Sequence, residues 1–587
     1  IINNALIFMK YLNTILGSFI LLSISFLQIH CHNTATNLPQ TDADNGGLFL
    51  APGFGALVVT DSSGPARHIA VSDEGNIYVK LRITEGDSGN VAIQVNKQGK
   101  AAIMQRFGDY PNDGSFATEM RIHKNYLYFS SEKVVYKQKL SSGELIPTGE
   151  PEIVLVDDHG HGAHWHITKT IAFDKDDNMY IPFSAPSNAC QDLASNLGGA
   201  TAGVLGADPC PELVDHGGIW KFKANGTGLF QKDGVRVATG LRSVVAMDWN
   251  QEANSLFLVQ HGRDDLHLLW PQYYSAWQNA VLPAEEFIQL KEGTDYGWPY
   301  SYYDPIQQKK LLAPEYGGDG KKLARNPEVG LPIMAFPAHW APNDLLFYKG
   351  SQFPDHYKNG AFIAFHGSTN RDPYPQAGYV VCFVPFKDGK PSGDWEVFAD
   401  GFAGIDPIPN VSDAKFRPMG LSEGPDGSLY VVDSRKGKIW RIIYNGDKTK
   451  FNEAAIAKIN ERKKASNLRI PDEAKDIVYK EKLLPSAQLF QKQCASCHQM
   501  NGLGDENRFP PINNTEWVSE KNRLINIILN GYSGPIKVGG KSYNNVMPNH
   551  IYLKDEEIVE IIKYMKNNFN PKTAEVTKAD VAALRRK

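Results

Sequence analysis

One pattern recurs along this chain: an apolar pair, a short polar turn of Asp, Asn and Gly, then an alternating strand carrying aromatic residues. It appears as HIAVSDEGNIYVKL, EMRIHKNYLYFSS, KTIAFDKDDNMYIPF, VVAMDWNQEANSLFLVQHG and MGLSEGPDGSLYVVD, with a weaker sixth copy in FPDHYKNGAFIAFHG. Each copy reads as a β-hairpin, because Asp, Asn and Gly tolerate turn conformations while Ile, Val, Tyr and Phe fill a half-buried pleated surface. Repeated hairpins of this kind over about four hundred residues predict a β-propeller, and six copies predict six blades with long insertions between some of them. A pair of β-sandwiches would need a more even strand rhythm.

The 587 residues exceed the roughly 250–300 that one hydrophobic core usually serves, so a second domain is expected beside the mainly β propeller over 48–444. After Tyr444 the chain turns rich in Lys, Glu and Ala, and 445–486 reads as a charged, partly helical connector, long and flexible enough to let a C-terminal domain reach the propeller mouth. SAQLFQKQC and KDEEIVEIIKYMKNNF then show helical apolar spacing, so 487–570 is expected to be a small α-helical domain followed by a tail over 571–587.

The N-terminus carries Lys10 and an apolar run from Ile15 to Leu27, the pattern of a secretory signal over 1–31 with Met9 as its start, followed by a linker over 32–47. Cys31 directly follows the apolar run, so the expected product is exported, either periplasmic after cleavage or held to a membrane by an acylated Cys31. In an exported chain Cys190 and Cys210, which bracket a Gly- and Pro-containing loop, read as a disulfide, and Cys382 in GYVVCFVPF as a buried apolar residue. A formal charge of −4 gives no general attraction to nucleic acid, and none is expected as a partner.

Cys494, Cys497 and His498 form a Cys-x-x-Cys-His motif. A zinc site would need a second Cys or His pair at suitable spacing and a thioredoxin-like dithiol would need a βαβ setting, so covalent haem c is the reading that remains. The two thiols add to the haem vinyl groups and His498 becomes an axial ligand of the iron. The sixth ligand is expected at Met547, just before Pro548 and a helix, because Met500 stands too near the attachment helix and Met565 falls within the terminal helix. Over its whole length this segment resembles the class I cytochromes c.

HITKT, GLRSVVAM, VQHGRDD, EGTDYGWPY, FHGSTNR and FRPMGLSEGPDGSLYVVD together resemble the soluble pyrroloquinoline quinone (PQQ) sugar dehydrogenases, especially the sorbosone and pyranose dehydrogenase branch. The resemblance implies that His166 takes the proton of the anomeric hydroxyl while hydride moves to the quinone C5 carbonyl, with His164 as the competing base. It implies that Arg242 stabilises charge at that carbonyl, that Ser243 stands where the family usually has Asn, and that Arg371, Lys415 and Arg417 hold the PQQ carboxylates. It places calcium on the main-chain carbonyls of Gly262 and Arg263, with Asp264 and Asp265 either helping the ion or capping a turn.

The implied activity is PQQ- and Ca-dependent oxidation of a sugar or related aldehyde, with electrons passed to haem c in the same chain and on to a cytochrome or quinone. A non-catalytic binding propeller with a cytochrome relay is the alternative, favoured by the departures at Ser243, Thr369 and Arg263. His159, His161, His164 and His166 also crowd one loop as a metal site would.

Overall fold

The computed structural model describes residues 38–85, 88–111, 118–159, 166, 168–191, 200–478, 485–499, 501–504, 509–513 and 515–585. Pro39–Lys587 forms one compact unit. The signal segment and Cys31, in the unit Ile1–Leu38, lie outside the described residues.

Six four- or five-stranded sheets of the described residues are the blades of a propeller. Blade 1 runs Ala66–Val71, Ile77–Glu85, Ser88–Val95 and Ala101–Asp109, and blade 2 Met120–His123, Tyr126–Ser130, Val134–Lys139 and Thr148–Val156. Blade 3 is Ala172–Phe173, Asn178–Phe183, Gly218–Lys223 and Val235–Thr239, and blade 4 is Val244–Asn250, Ser255–Gln260, Glu285–Gln289 and Met334–Phe336. Blade 5 is Pro342–Phe347, Ala361–Phe365, Val380–Val384 and Glu396–Asp400. Blade 6 takes Pro418–Glu423, Leu429–Asp433 and Ile439–Tyr444 from the end of the domain and Phe54–Thr60 from its start, so the ring closes by antiparallel pairing of distant segments.

Five of the six sequence copies fall on the first two strands of blades 1, 2, 3, 4 and 6. The sixth is offset by a strand: FPDHYKNG holds a short 3-10 turn, Asp355–Tyr357, and the inner strand of blade 5 is the earlier PNDLLF. Polar side chains on the inner strands tie neighbouring blades together. Asp248 accepts from the Phe347 amide (2.8 Å), Asp344 from Leu421 (2.7 Å) and Ser422 Oγ from Val71 (3.0 Å), so each buried or half-buried acceptor satisfies a backbone donor of the next blade. Arg121 reaches from blade 2 to Asp344 of blade 5 at 2.6 Å, filling the space between opposite blades with an ion pair.

Cys190 and Cys210 form a disulfide, with Cα atoms 6.1 Å apart, and Cys382 is fully buried. The haem-motif domain packs Pro485–Gln493, Lys521–Asn530, Asp555–Asn568 and Lys578–Arg585 around one apolar core that includes Phe490, Ile525, Ile561 and Val581.

The connector differs from the flexible tether that its composition predicts. Asn452 caps a helix, Glu453–Asn460, by accepting from the Ala454 and Ala455 amides, and the segment then lies along blade 5. Ile459 and Leu468 enter the core formed by blades 4, 5 and 6. Arg462 pairs with Asp400 (2.7 Å), the Lys463 ammonium sits 3.9 Å above the Trp395 ring, and Asn467 bonds both polar groups of the Gly378 backbone. Farther on, Trp277 donates to Pro471 and Tyr374 to Glu473. Residues 453–478 are therefore a strap docked on the propeller, held by a few apolar anchors and cation contacts that a charge-rich composition hides.

Candidate active site at the propeller mouth

Strands within a blade alternate in direction, so the loop that enters each inner strand and the loop that leaves each second strand emerge on the same face. His166, Arg242 and Arg417 sit on loops of the first kind, and Gly262, Arg263 and Arg371 on loops of the second. The fold thus brings these residues to one mouth from blades 3 to 6, although up to 251 positions of sequence separate them.

His166 is half-buried, and its Nδ1–H donates to the Ala185 carbonyl at 2.8 Å. A carbonyl only accepts, so the neutral ring carries its proton on Nδ1 and keeps the Nε2 lone pair free. Burial, reinforced by the neighbouring Arg242 guanidinium, holds His166 well below the ordinary histidine range, so it is a neutral acceptor at physiological pH. His164, the competing base, and His161 lie outside the described residues, and among the described residues no group of three or more His, Cys, Asp or Glu forms a metal cluster.

Arg242 is buried, and donates from Nη1 to the Gly262 carbonyl and from Nη2 to Asp264, both at 2.8 Å. Its Nε meets no partner. Ser243 is buried beside it, with its carbonyl accepting from the His261 amide. The Arg263 side chain turns away into a buried bidentate pair with Glu315, so only its backbone is available to the mouth.

Asp264 is the hub that the sequence reading underrated. Burial opposes its ionisation, but Arg242 and His339 hold it well below the usual carboxylate range. His339 donates from Nε2 to the Asn279 carbonyl (2.8 Å) and faces Asp264 through Nδ1 at 3.4 Å, an arrangement that favours the imidazolium and raises its pKa against the opposing effect of burial. His339 stands outside every repeat copy, and nothing in FPAHWAPND marked it. The neighbouring Asp265 carboxyl is pushed up to about 6, first by burial and then by Asp264. It opens the short helix Leu266–Leu269 without a side-chain cap bond, so turn capping does not account for it.

Arg371 is 2 % exposed, yet its Nε and Nη1 meet no hydrogen-bond partner, and burial, with Arg469 nearby, lowers its pKa to about 10. Arg417 is also buried and donates to the His366 carbonyl (3.1 Å) and to that of Gly367. Lys415 is exposed with its ammonium over the Phe416 ring, so the structure does not bring it in with the two buried cations. Thr369 donates to Asn370 at the rim.

In the helical domain Cys494, Cys497, His498 and Met547 line one apolar cavity of about 150 Å³, walled by residues such as Ile528 and Ile561. His498 donates from Nδ1 to the Pro510 carbonyl at 3.0 Å, which leaves Nε2 free as a metal ligand and fixes the ring. Two backbone bonds to Tyr532 pin Met547, and Met565 is buried in its helix; Met500 lies outside the described residues. This crevice faces the propeller: Gln491 donates to Asp372 at 3.3 Å, and a second cavity, of about 330 Å³, touches Asp264 and Asn370 on one side and Cys497 and Pro548 on the other.

The residues present fit the groups that the sequence reading implies. Orphaned N–H groups of Arg242 and Arg371 suit the oxygens of an anionic quinone, and the carbonyl and carboxylate oxygens at Gly262, Asp264 and Asp265 suit a hard divalent cation. The free imidazole nitrogen, paired thiols and apolar walls of the crevice suit haem c.

A family described as TrAA12-like matches residues 48–445, and one described as cytochrome c matches 485–569. Cytochrome c-552 of Thermus thermophilus is 37% identical over 102 residues, covering 15% of this chain and 76% of that protein. An uncharacterized protein of Borreliella burgdorferi is 28% identical over 211 residues, 35% of this chain; the match spans about half of that relative, 48%. Among solved structures, the holo PQQ domain of pyranose dehydrogenase from Coprinopsis cinerea superposes with a TM-score of 0.51 at 18% identity, covering 68% of this chain and 97% of that one, a likeness of fold.

Proposed function

Because the chain belongs to the TrAA12-like family through residues 48–445 and carries a cytochrome c domain over 485–569, we propose that it is a PQQ- and calcium-dependent dehydrogenase of an aldose or related aldehyde, of the sorbosone type. At the coarser level it is an oxidoreductase that joins a sugar dehydrogenase-like propeller to a haem c domain. The observation that carries the finer reading is the neutral His166, its Nε2 lone pair free, beside Arg242 on the face turned to the haem crevice.

When bound, PQQ supplies a two-electron sink and haem c a one-electron relay. The chain's own groups do the rest. His166 Nε2 accepts the proton of the sugar's anomeric hydroxyl, a general-base step. Arg242 places a preorganised positive charge where negative charge develops, and is held there by Gly262 and Asp264. Ser243, Arg371 and Arg417 are assigned to hold PQQ, Lys415 being turned out over Phe416, and the Gly262 and Arg263 carbonyls to hold calcium, with Asp264 and Asp265 beside them. A divalent cation there would also relieve the repulsion between these adjacent carboxylates. Cys494 and Cys497 tether the haem, and His498 and Met547 ligate its iron.

The proposed organisation is a leader over 1–31, linker 32–47, propeller 48–444, connector 445–486 and haem domain from 487, with the expected tail 571–587 corrected: its helix Lys578–Arg585 packs Val581 into the haem-domain core. Export to a periplasm, free or anchored through an acylated Cys31, is supported by the Cys190–Cys210 disulfide. A downstream cytochrome or quinone takes the electrons. The test is haem reduction by a panel of aldoses: it should require PQQ, calcium and sugar together. Haem that stays oxidised with every aldose refutes the reading.

A further inference from the structure

The cavity of about 330 Å³ between the two domains has polar groups from both. Asp265, Asn370 and Gln376 line it from the propeller, and Asn549 and Tyr552 from the haem domain. Gln376 is 3% exposed and Asn549 9%, and in each the side-chain oxygen meets no hydrogen-bond partner. A buried amide oxygen left without a donor costs roughly 1–3 kcal/mol, so a pair facing one cavity from opposite domains points to a ligand that brings hydroxyl groups. A hydroxyl both donates and accepts, so it satisfies either amide in either orientation. The volume stands at the lower end of the roughly 300–1,000 Å³ range of small-molecule sites, and Asp264, Asp265 and Cys497 line part of it for calcium and haem, so the space that remains suits one sugar ring rather than an oligosaccharide.

Resting on the dehydrogenase reading above, we propose that the sugar is bound across the domain junction, with Gln376 of the propeller and Asn549 of the haem domain each hydrogen-bonding a hydroxyl. The haem domain is then half of the substrate site as well as the electron acceptor. Tyr552, which donates to Gln493 at 2.8 Å, braces this wall. Sugar binding and the docking of the haem domain are thereby linked, each strengthening the other.

The test uses the full chain loaded with haem, PQQ and calcium. Asn549→Leu keeps the side chain's size and removes its polar atoms, and Gln376→Leu does the same from the propeller side. Each should raise KM for the aldose that the wild type oxidises by about three- to tenfold, the worth of one hydrogen bond, with kcat within about twofold. Calorimetric affinity for the non-oxidisable 1-deoxy analogue should fall by the same factor, while the haem spectrum and midpoint potential stay unchanged, and Asn549→Gln should recover part of the loss. A wild type that oxidises no aldose refutes the dehydrogenase reading, and this inference with it. A wild type that is active, with both leucine variants matching it in KM and in affinity for the analogue, overturns this inference alone: the amides then face water.

Discussion

Replacing Arg371 by Met should leave the cofactor-free protein at least as stable as the wild type. Arg371 is buried with two guanidinium nitrogens unpartnered, and its pKa falls from the ordinary arginine range to about 10 because burial disfavours the charged form. At about 1.36 kcal/mol per pKa unit this is roughly 3 kcal/mol of destabilisation by the charge. Linkage sets the sign: at neutral pH the group is protonated both folded and unfolded, so the full cost is present there and is lost only as pH rises through about 10. Arg371→Met removes that cost and keeps an apolar stem, at the expense of some packing. The apo variant should therefore melt at or a few degrees above the wild type, given about 2–4 °C per kcal/mol for domains of 150–250 residues. PQQ should reverse the order. Charge-assisted hydrogen bonds are worth about 1.5–3 kcal/mol, so the variant should bind the cofactor roughly ten- to a hundredfold more weakly and show a smaller PQQ-induced rise in melting temperature. Thermal melts of apo protein with and without PQQ and calcium measure both effects. An apo variant that melts well below the wild type, with an undiminished response to PQQ, would show that Arg371 serves the fold and refute its assignment to the cofactor.

His166→Ala should abolish sugar oxidation while PQQ still raises the melting temperature; because the histidine pKa is depressed by burial, the acid limb of kcat/KM should lie below about pH 6.5, and a limb at or above it contradicts a neutral base. The double variant Cys494→Ala plus Cys497→Ala should lose the haem-peroxidase band on denaturing gels, and haem that extracts from the native protein into acidified organic solvent would refute covalent attachment. Asn467→Ala should cost the strap about 1–3 kcal/mol by leaving the Gly378 carbonyl without its side-chain donor, seen as faster amide exchange over 461–478; exchange unchanged from wild type would mean that the strap is held elsewhere.

The propeller was legible because its hairpins repeat a local rule: turn residues where the chain must reverse, branched and aromatic residues where strands stack. The sequence pattern places blade 5 one strand late because its inner strand, PNDLLF, begins with a proline and lacks the Asp-Gly turn, whereas the turn before AFIAF imitates one. The haem ligands were legible because covalent attachment needs its residues contiguous. The mouth was only half legible. His166, Arg242 and Arg371 carry family motifs, but His339 gains its meaning from Asp264 and Asn279 on loops of another blade, which sequence spacing does not express. The strap was hidden for a related reason, since Ile459, Leu468 and Asn467 do their work among charged neighbours that read as solvated.

The central claim is that the propeller oxidises a sugar and delivers the electrons to its own haem, across a junction that the Gln491–Asp372 hydrogen bond spans. Stopped-flow mixing of the PQQ- and calcium-loaded full chain with an oxidisable aldose, at several protein concentrations, tests it directly. The account predicts haem reduction at a rate independent of protein concentration, because donor and acceptor travel together. A rate rising in proportion to protein concentration would place the transfer between molecules and contradict it.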